Sequence, residues 1–211
     1  MANPMILWKF NDGKPGHENQ SNGLIAALNN LQEVQVFEVP SVGYMTLLFC
    51  WLFRRVPSMF PTQNPDVIVG AGRKTHLPMV VAKSLCGGKT VVLMRPSLPS
   101  SFFDLIVAPE HDDVPPHGNV VEVKGVLNGV PFLSNKNKNQ GLMLIGGESS
   151  HYMWDSHAII DQVTKIVEHD KEASWVLTTS RRTPEDFFQL LLGCIPLDNM
   201  TAVQFEDTDQ D

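Results

Sequence analysis

The sequence predicts an α/β fold built as two units on mainly parallel sheets. Three observations carry this. Short apolar, β-rich runs alternate with helical patterns along the 211 residues. Apolar strands separated by helices imply a sheet covered on both faces. A polar, lysine-rich segment, LSNKNKNQ at 133–140, then interrupts the pattern, which restarts after it. The expected units are therefore 1–133 and 141–211.

In the first unit MILWKF (5–10) reads as the opening strand. NQSNGLIAALNNL (19–31) is a helix with Leu24, Leu28 and Leu31 on one face. EVQVFEV (33–39) alternates as a strand, and a helical run follows at 44–55. PDVIVGAG (65–72) is a buried strand ending in glycines. THLPMVVAKSLCG (75–87) is a helix, with Pro78 tolerated in its first turn and Gly87 or Gly88 as its stop. KTVVLM (89–94), DLIVAP (104–109) and NVVEV (119–123) complete the strands. In the second unit GLMLIGG (141–147), SWVLTTS (174–180) and MTAVQF (200–205) are strands, with helices at 152–170 and 184–194 between them. Three strands are few for an independent sheet domain.

Composition narrows the function classes. Hydrophobic residues make up 43% and charged residues 18%, which is globular. The net charge of -7 disfavours a general nucleic-acid binder, which needs a basic field. Cys50, Cys86 and Cys194 lie far apart in apolar segments, with no CxxC pair and hence no zinc signature. They read as reduced, buried thiols of a cytosolic protein. No signal peptide is expected, and the apolar run YMTLLFCWLF (44–53) is far short of the ~20 residues a membrane span needs. That run, followed by Arg54 and Arg55, has two readings: a core-packed helix, or an interfacial helix pressing Phe and Trp into lipid. Being apolar nearly all round, it is expected to be buried.

Polar clusters fall at the carboxyl ends of strands, where ligands bind in parallel α/β sheets. After the first strand, NDGKPGHENQ offers Asp12, Gly13, Lys14, Gly16, His17 and Asn19. Glycine and proline there are equally the marks of a tight turn. GAGRKTH offers Arg73 and Lys74, and MRPSLPS offers Arg95 and Ser97. APEHDD offers Glu110 and Asp112 beside His111, as a general base or as a solvated acidic turn. IGGESSHYMWD places Gly146, Gly147, Ser149 and Ser150 between a strand and a helix start, which suits a phosphate or a simple helix cap. TTSRRTP adds Arg181 and Arg182, whose forks match phosphate or carboxylate oxygens. The GxGxxG spacing of a dinucleotide-dependent oxidoreductase is absent from NDGKPGHE.

Taken in order from residue 5 to about 184, NDGKPGHENQSNGL, GAGRKTHLP, MRPSLPSSFFDLIVAPEHD, GVLNGV, LIGGESSHYMWD and TTSRRTP resemble the mitochondrial-fission ELM-type family. Its bacterial members are described as glycosyltransferases of the GT-B fold, two Rossmann-like domains facing a cleft. The resemblance implies an acceptor-side first unit, a donor-side second unit that is incomplete, and a nucleotide-sugar donor with no cofactor and no metal. His17 is then the expected base, with Glu110 or Asp112 in reserve. Gly146, Gly147, Ser149 and Ser150, assisted by Arg181 or Arg182, would meet the diphosphate. Arg73, Lys74 and Arg95 would hold an anionic acceptor, with Asp12, Gly13, Lys14, Gly16, Asn19 and Ser97 lining its site. The acceptor is unidentified. The expected location is cytoplasmic, with peripheral inner-membrane contact through 44–55 as the extension of this reading. The rival reading is a non-catalytic docking module of the fission-factor type.

Overall fold

The structure is a computed structural model that describes residues 3–40, 43–130, 137–149, 153–194 and 198–205. The chain divides into two compact units, Met1–Phe132 and Leu133–Asp211.

The first unit comprises β1 (Met5–Phe10), α1 (Pro15–Asn29), β2 (Val34–Val39), α2 (Tyr44–Leu52), β3 (Val67–Ala71), α3 (Arg73–Cys86), β4 (Lys89–Leu93), β5 (Leu105–Pro109) and β6 (Val120–Val123). All six strands are parallel, in the order β2-β1-β3-β4-β5-β6. Strand period explains the two core layers, because successive side chains face opposite sides. Trp8, Phe10, Ile68, Val92 and Ile106 pack on one face with Leu47 of α2 and Met79 of α3. Leu7, Val69 and Leu93 pack on the other with Leu24, Ile25 and Leu28 of α1. Trp8 is fully buried and meets Phe60 edge-on, with ring centroids 5.2 Å apart. A buried side chain of this kind contributes roughly 3 kcal/mol.

The amino edge of the sheet is tied by carboxylates. Asp66 accepts from the Ile6 amide at 2.8 Å. Asp104 accepts from the Thr90 amide at 2.9 Å and the Thr90 hydroxyl at 3.0 Å, and pairs with Lys83 at 2.6 Å and Lys89 at 3.2 Å. Burial opposes ionisation of Asp104, but Lys83, both Thr90 donors and Lys89 together hold its carboxyl well below the usual range.

The second unit contains β7 (Gln140–Leu144), α4 (Ser156–His169), β8 (Ser174–Thr178), α5 (Phe187–Cys194) and β9 (Met200–Val203). Its three strands are parallel, in the order β7-β8-β9. Ile160, Val163 and Val167 of α4 recur at helical spacing and close on Leu177, Phe187 and Leu191. The fold class is thus the one the strand–helix alternation predicts.

Several boundaries differ for local reasons. α1 starts at Pro15, four residues before the expected Asn19, because proline suits the first helical position. α3 starts at Arg73, so the expected loop residues Arg73 and Lys74 form its first turn. α4 starts at Ser156, well after the expected 152. Of the three cysteines expected to be buried, Cys50 is, Cys86 is half-buried and Cys194 is exposed near the end of α5. The expected burial of 44–55 does not hold. Only Leu47 and Cys50 of α2 are buried, while Met45 is 78% and Leu52 66% exposed. A nine-residue helix lays one stripe on the sheet and α3, and no described element covers its other side.

Candidate functional site

β1 has β2 on one side and β3 on the other, so the direction of sheet growth reverses between β1 and β3. In such sheets a crevice opens beyond the carboxyl ends of the two strands at the reversal. The segment after β1 enters it through a turn built by its own side chains. The Gly13 amide donates to Asn11 Oδ1 at 2.8 Å and the Lys14 amide to Asp12 Oδ1 at 3.2 Å. Gly13 sits at φ +80°, a conformation that costs glycine little.

Asp12 uses one carboxylate oxygen on that turn and the other on His17. Its Oδ2 lies 2.9 Å from Nδ1 of His17, in the first turn of α1. The Asp12 side chain is 2% exposed and that of His17 18%. With the carboxylate accepting Nδ1–H, the neutral imidazole keeps its lone pair on Nε2. Gly72, at the end of β3, completes the arrangement. A Cβ there would fall on His17 Nδ1 and Asp12 Oδ2. Its φ of +88° also suits glycine alone.

A second histidine lies beneath. His76 on α3 is 1% exposed, and its Nδ1 accepts from the Ser97 amide at 3.0 Å, with Ser97 Oγ 2.7 Å away. The proton of the neutral ring therefore resides on Nε2, which has no hydrogen-bond partner among the described residues. Burial, and then the neighbouring His17, lower the His76 pKa to about 4, with Asp12 pulling the other way.

Two further contacts join the strand ends. Gln20 Nε2 of α1 reaches Met94 Sδ at 3.1 Å, just past β4. Met94 holds φ +74°, unusual for a residue with a side chain. The Arg95 amide donates to Asp112 Oδ2 at 2.8 Å, and its guanidinium donates to the carbonyls of Asp112 and Asp113. Lys14, Arg73 and Lys74 are exposed and make no ion pair among the described residues. Lys9, one residue before the end of β1, is 3% exposed. Its ammonium is satisfied by Asn22 at 2.8 Å, Glu38 at 2.8 Å and Glu18 at 3.3 Å. Beside this cluster a hollow of about 430 Å³ is bounded by Asn11–Gly13 and Glu38–Pro40.

The structure thus brings Asp12 and His17 together, and seats Ser97 on His76. It turns Arg95 and Asp112 toward each other, so Asp112 holds a loop and Arg95 has two guanidinium bonds to backbone. Glu110 is exposed at the start of a short 3-10 turn. At Gly13 and Gly16 a Cβ would meet open space. Gly16 and Asn19 lie inside α1. Sequence reasoning passed over Lys9, and placed His76 and the glycine at 72 in the GAGRKTH strand-end cluster without assigning either a role. The signal for Lys9 was a lone cation within an apolar run.

In the second unit the glycine turn serves the arginine loop. A Cβ on Gly147 would collide with the Arg182 backbone, the Glu148 amide donates to the Arg182 carbonyl at 3.1 Å, and Thr183 Oγ1 donates to the Gly146 carbonyl at 2.5 Å. The expected helix start for a phosphate lies elsewhere, since α4 is capped by Asp155, whose carboxylate accepts from the Ala158 amide at 3.1 Å. A carboxylate there already answers the helix N-terminus. Ser149 follows the turn, and Ser150 lies outside the described residues. Arg181 is exposed, with its guanidinium 5.9 Å above the Phe205 ring. Together with Ser180, Thr183 and Phe205 it lines a hollow of about 370 Å³ at the carboxyl ends of β8 and β9.

Comparison with known proteins fits this architecture. The model of the family described as Mitochondrial fission ELM1 matches residues 15–209. The chain belongs to that family. An uncharacterized protein of Rickettsia prowazekii (strain Madrid E) is 28% identical over 118 residues, 51% of this chain and 32% of that relative. The chain thus spans about a third of the length of the curated relative it matches. Among solved structures, a protein assigned as a UDP-N-acetylglucosamine 2-epimerase from Listeria monocytogenes superposes with a TM-score of 0.54 at 11% identity, over 97% of this chain and 70% of that one. A glycosyltransferase from Rickettsia africae gives 0.48 at 9% identity, over 98% and 69%. The likeness to the Listeria protein shows the fold alone: two Rossmann-like parallel-sheet units of the GT-B type. No described helix is long and apolar enough to cross a membrane.

Proposed function

We propose that this family member is a glycosyltransferase of the GT-B type, moving a sugar from a nucleotide-sugar to a hydroxyl acceptor. The observation that carries the reading is the His17–Asp12 pair at the topological switch point, which directs the lone pair of a neutral His17 to Nε2. In the reaction, His17 Nε2 accepts the proton of the acceptor hydroxyl. The acceptor oxygen forms its bond to the anomeric carbon as the bond from that carbon to the diphosphate oxygen breaks, and the nucleoside diphosphate leaves with the electron pair. Asp12 keeps the imidazole oriented and stabilises the imidazolium. Base catalysis of this kind is worth roughly 10²–10⁴ in rate.

Lys14, Arg73 and Lys74 stand at the N-termini of α1 and α3, where helix dipoles reinforce their charge, and suit an anionic acceptor. Arg181, in the hollow with Ser180 and Thr183, is better placed for the leaving diphosphate than the Gly146–Gly147 turn, which is filled by the arginine loop. The substrate named for the Listeria protein, UDP-N-acetylglucosamine, is the donor to try first. The test is calorimetric titration of this chain and a full-length relative with UDP-, GDP-, ADP- and dTDP-sugars. Saturable binding of one of them, weakened about tenfold by Arg181→Ala as loss of one charge-assisted contact should do, is expected. Failure of both proteins to bind any of them overturns the donor assignment.

A further inference from the structure

We infer that α2 is a membrane-docking helix that lies flat on an anionic lipid surface. The inference goes beyond the proposed reaction and does not depend on it.

The outward stripe of α2 has helical spacing but the wrong sign for a soluble surface. Met45, Leu48, Phe49 and Leu52, at i, i+3, i+4 and i+7, are all exposed, between 53% and 78%. Leu47 and Cys50 alone hold the helix to the core. Phe53 extends the stripe and meets Phe49 with its ring tilted by 42° and centroids 4.5 Å apart. Tyr44 and Trp51 flank it, both at least half exposed, and Val56 and Met59 continue it past the helix. Scattered exposed apolar residues need no explanation, but a contiguous set of this size marks an interaction surface.

Charge selects the occupant. From Val39 to Pro65 the chain has no Asp or Glu, although the whole protein carries a net charge of -7. The stretch has two charges, Arg54 and Arg55, directly after the apolar helix. Both are exposed, and neither guanidinium has a hydrogen bond or ion pair among the described residues. A helix with large apolar and aromatic side chains outward, tyrosine and tryptophan at its margins and basic residues at its end fits the boundary between acyl chains and anionic headgroups. The helix follows β2, whose end borders the 430 Å³ hollow at Asp12, so the docked face would lie on the part of the unit that carries the candidate site.

The test is flotation of the purified chain with vesicles of phosphatidylcholine alone or with about 30% phosphatidylglycerol. The wild type is expected to float with the anionic vesicles and to be released by high salt, as ~1 kcal/mol per basic residue requires. Leu48→Ser/Phe49→Ser/Leu52→Ser should abolish flotation, and Arg54→Gln/Arg55→Gln should reduce it about tenfold or more on the same arithmetic. These positions face solvent, and unchanged circular dichroism and melting would certify the fold. As a second measurement, brominated lipid should quench Trp51, an effect lost in Trp51→Phe. Absence of flotation with either vesicle overturns the inference. So does a concentration-dependent dimer of the wild type, without lipid binding, that the same triple substitution disperses, since the stripe then belongs to a second copy.

Discussion

His17 and Asp12 meet at 2.9 Å only because position 72 has no side chain, and this is a relation no local reading of the chain contains. Asp12, Lys14 and His17 were legible because glycine and proline after an apolar strand announce a turn at a strand end. Gly72 and His76 showed only as part of a strand-end cluster, without their contacts, because the β1–β3 pairing brings residue 72 to residues 12 and 17 across some sixty residues of sequence. His76 adds a pH term that can be measured. Its folded pKa of about 4 lies below the ordinary 6.5, so the unfolded state takes up a proton first as pH falls. Its contribution to stability is complete above pH 6.5, declines as pH falls toward 4, and levels off below. Urea unfolding at pH 7, 6, 5 and 4 should show the wild type losing more stability than His76→Gln. The difference should be on the order of 2 kcal/mol, allowing for partial solvent screening.

At the scale of elements, strand identity was readable and helix starts were not. Short apolar runs ending in glycine or proline, such as VIVGA and LIVAP, read as central strands and alternating EVQVFEV as a half-buried one, and all six strands of the first sheet fall where the sequence places them. Helix starts moved because caps decide them: Pro15 advances α1, and Asp155 delays α4 past the glycine turn. That delay removes the helix dipole from the expected phosphate turn and leaves Gly147 to admit the Arg182 backbone. The α2 run misled for a different reason. Apolarity all round says that a helix seeks cover, not that its own chain supplies it. Asp104 shows how elements are locked at the opposite edge, through Lys83 of α3, Lys89 and Thr90 of β4. Asp104→Asn should destabilise the fold by roughly 1–3 kcal/mol at pH 7, since it leaves partly buried donors mismatched. Because its carboxyl is held below the usual range, that advantage is present above the ordinary carboxylate pKa and fades as pH falls through it. Urea midpoints of the two proteins at pH 7 and pH 3 should therefore converge on acidification.

For the whole molecule, each unit carries polar groups at its own strand ends: the His17–Asp12 pair and exposed cations in the first, and an arginine-lined hollow at the ends of β8 and β9 in the second. With the family membership, nucleotide-sugar transfer is the reading proposed above. The His17–Asp12 pair is its centre, and one measurement addresses it directly. Nucleoside diphosphate release from the bound donor should be followed with and without acceptor, for the protein and its His17→Gln variant. The account predicts that acceptor-dependent release falls by roughly 10²–10⁴ in the variant, while donor affinity stays within about twofold. Equal acceptor-dependent rates in the two proteins would contradict it.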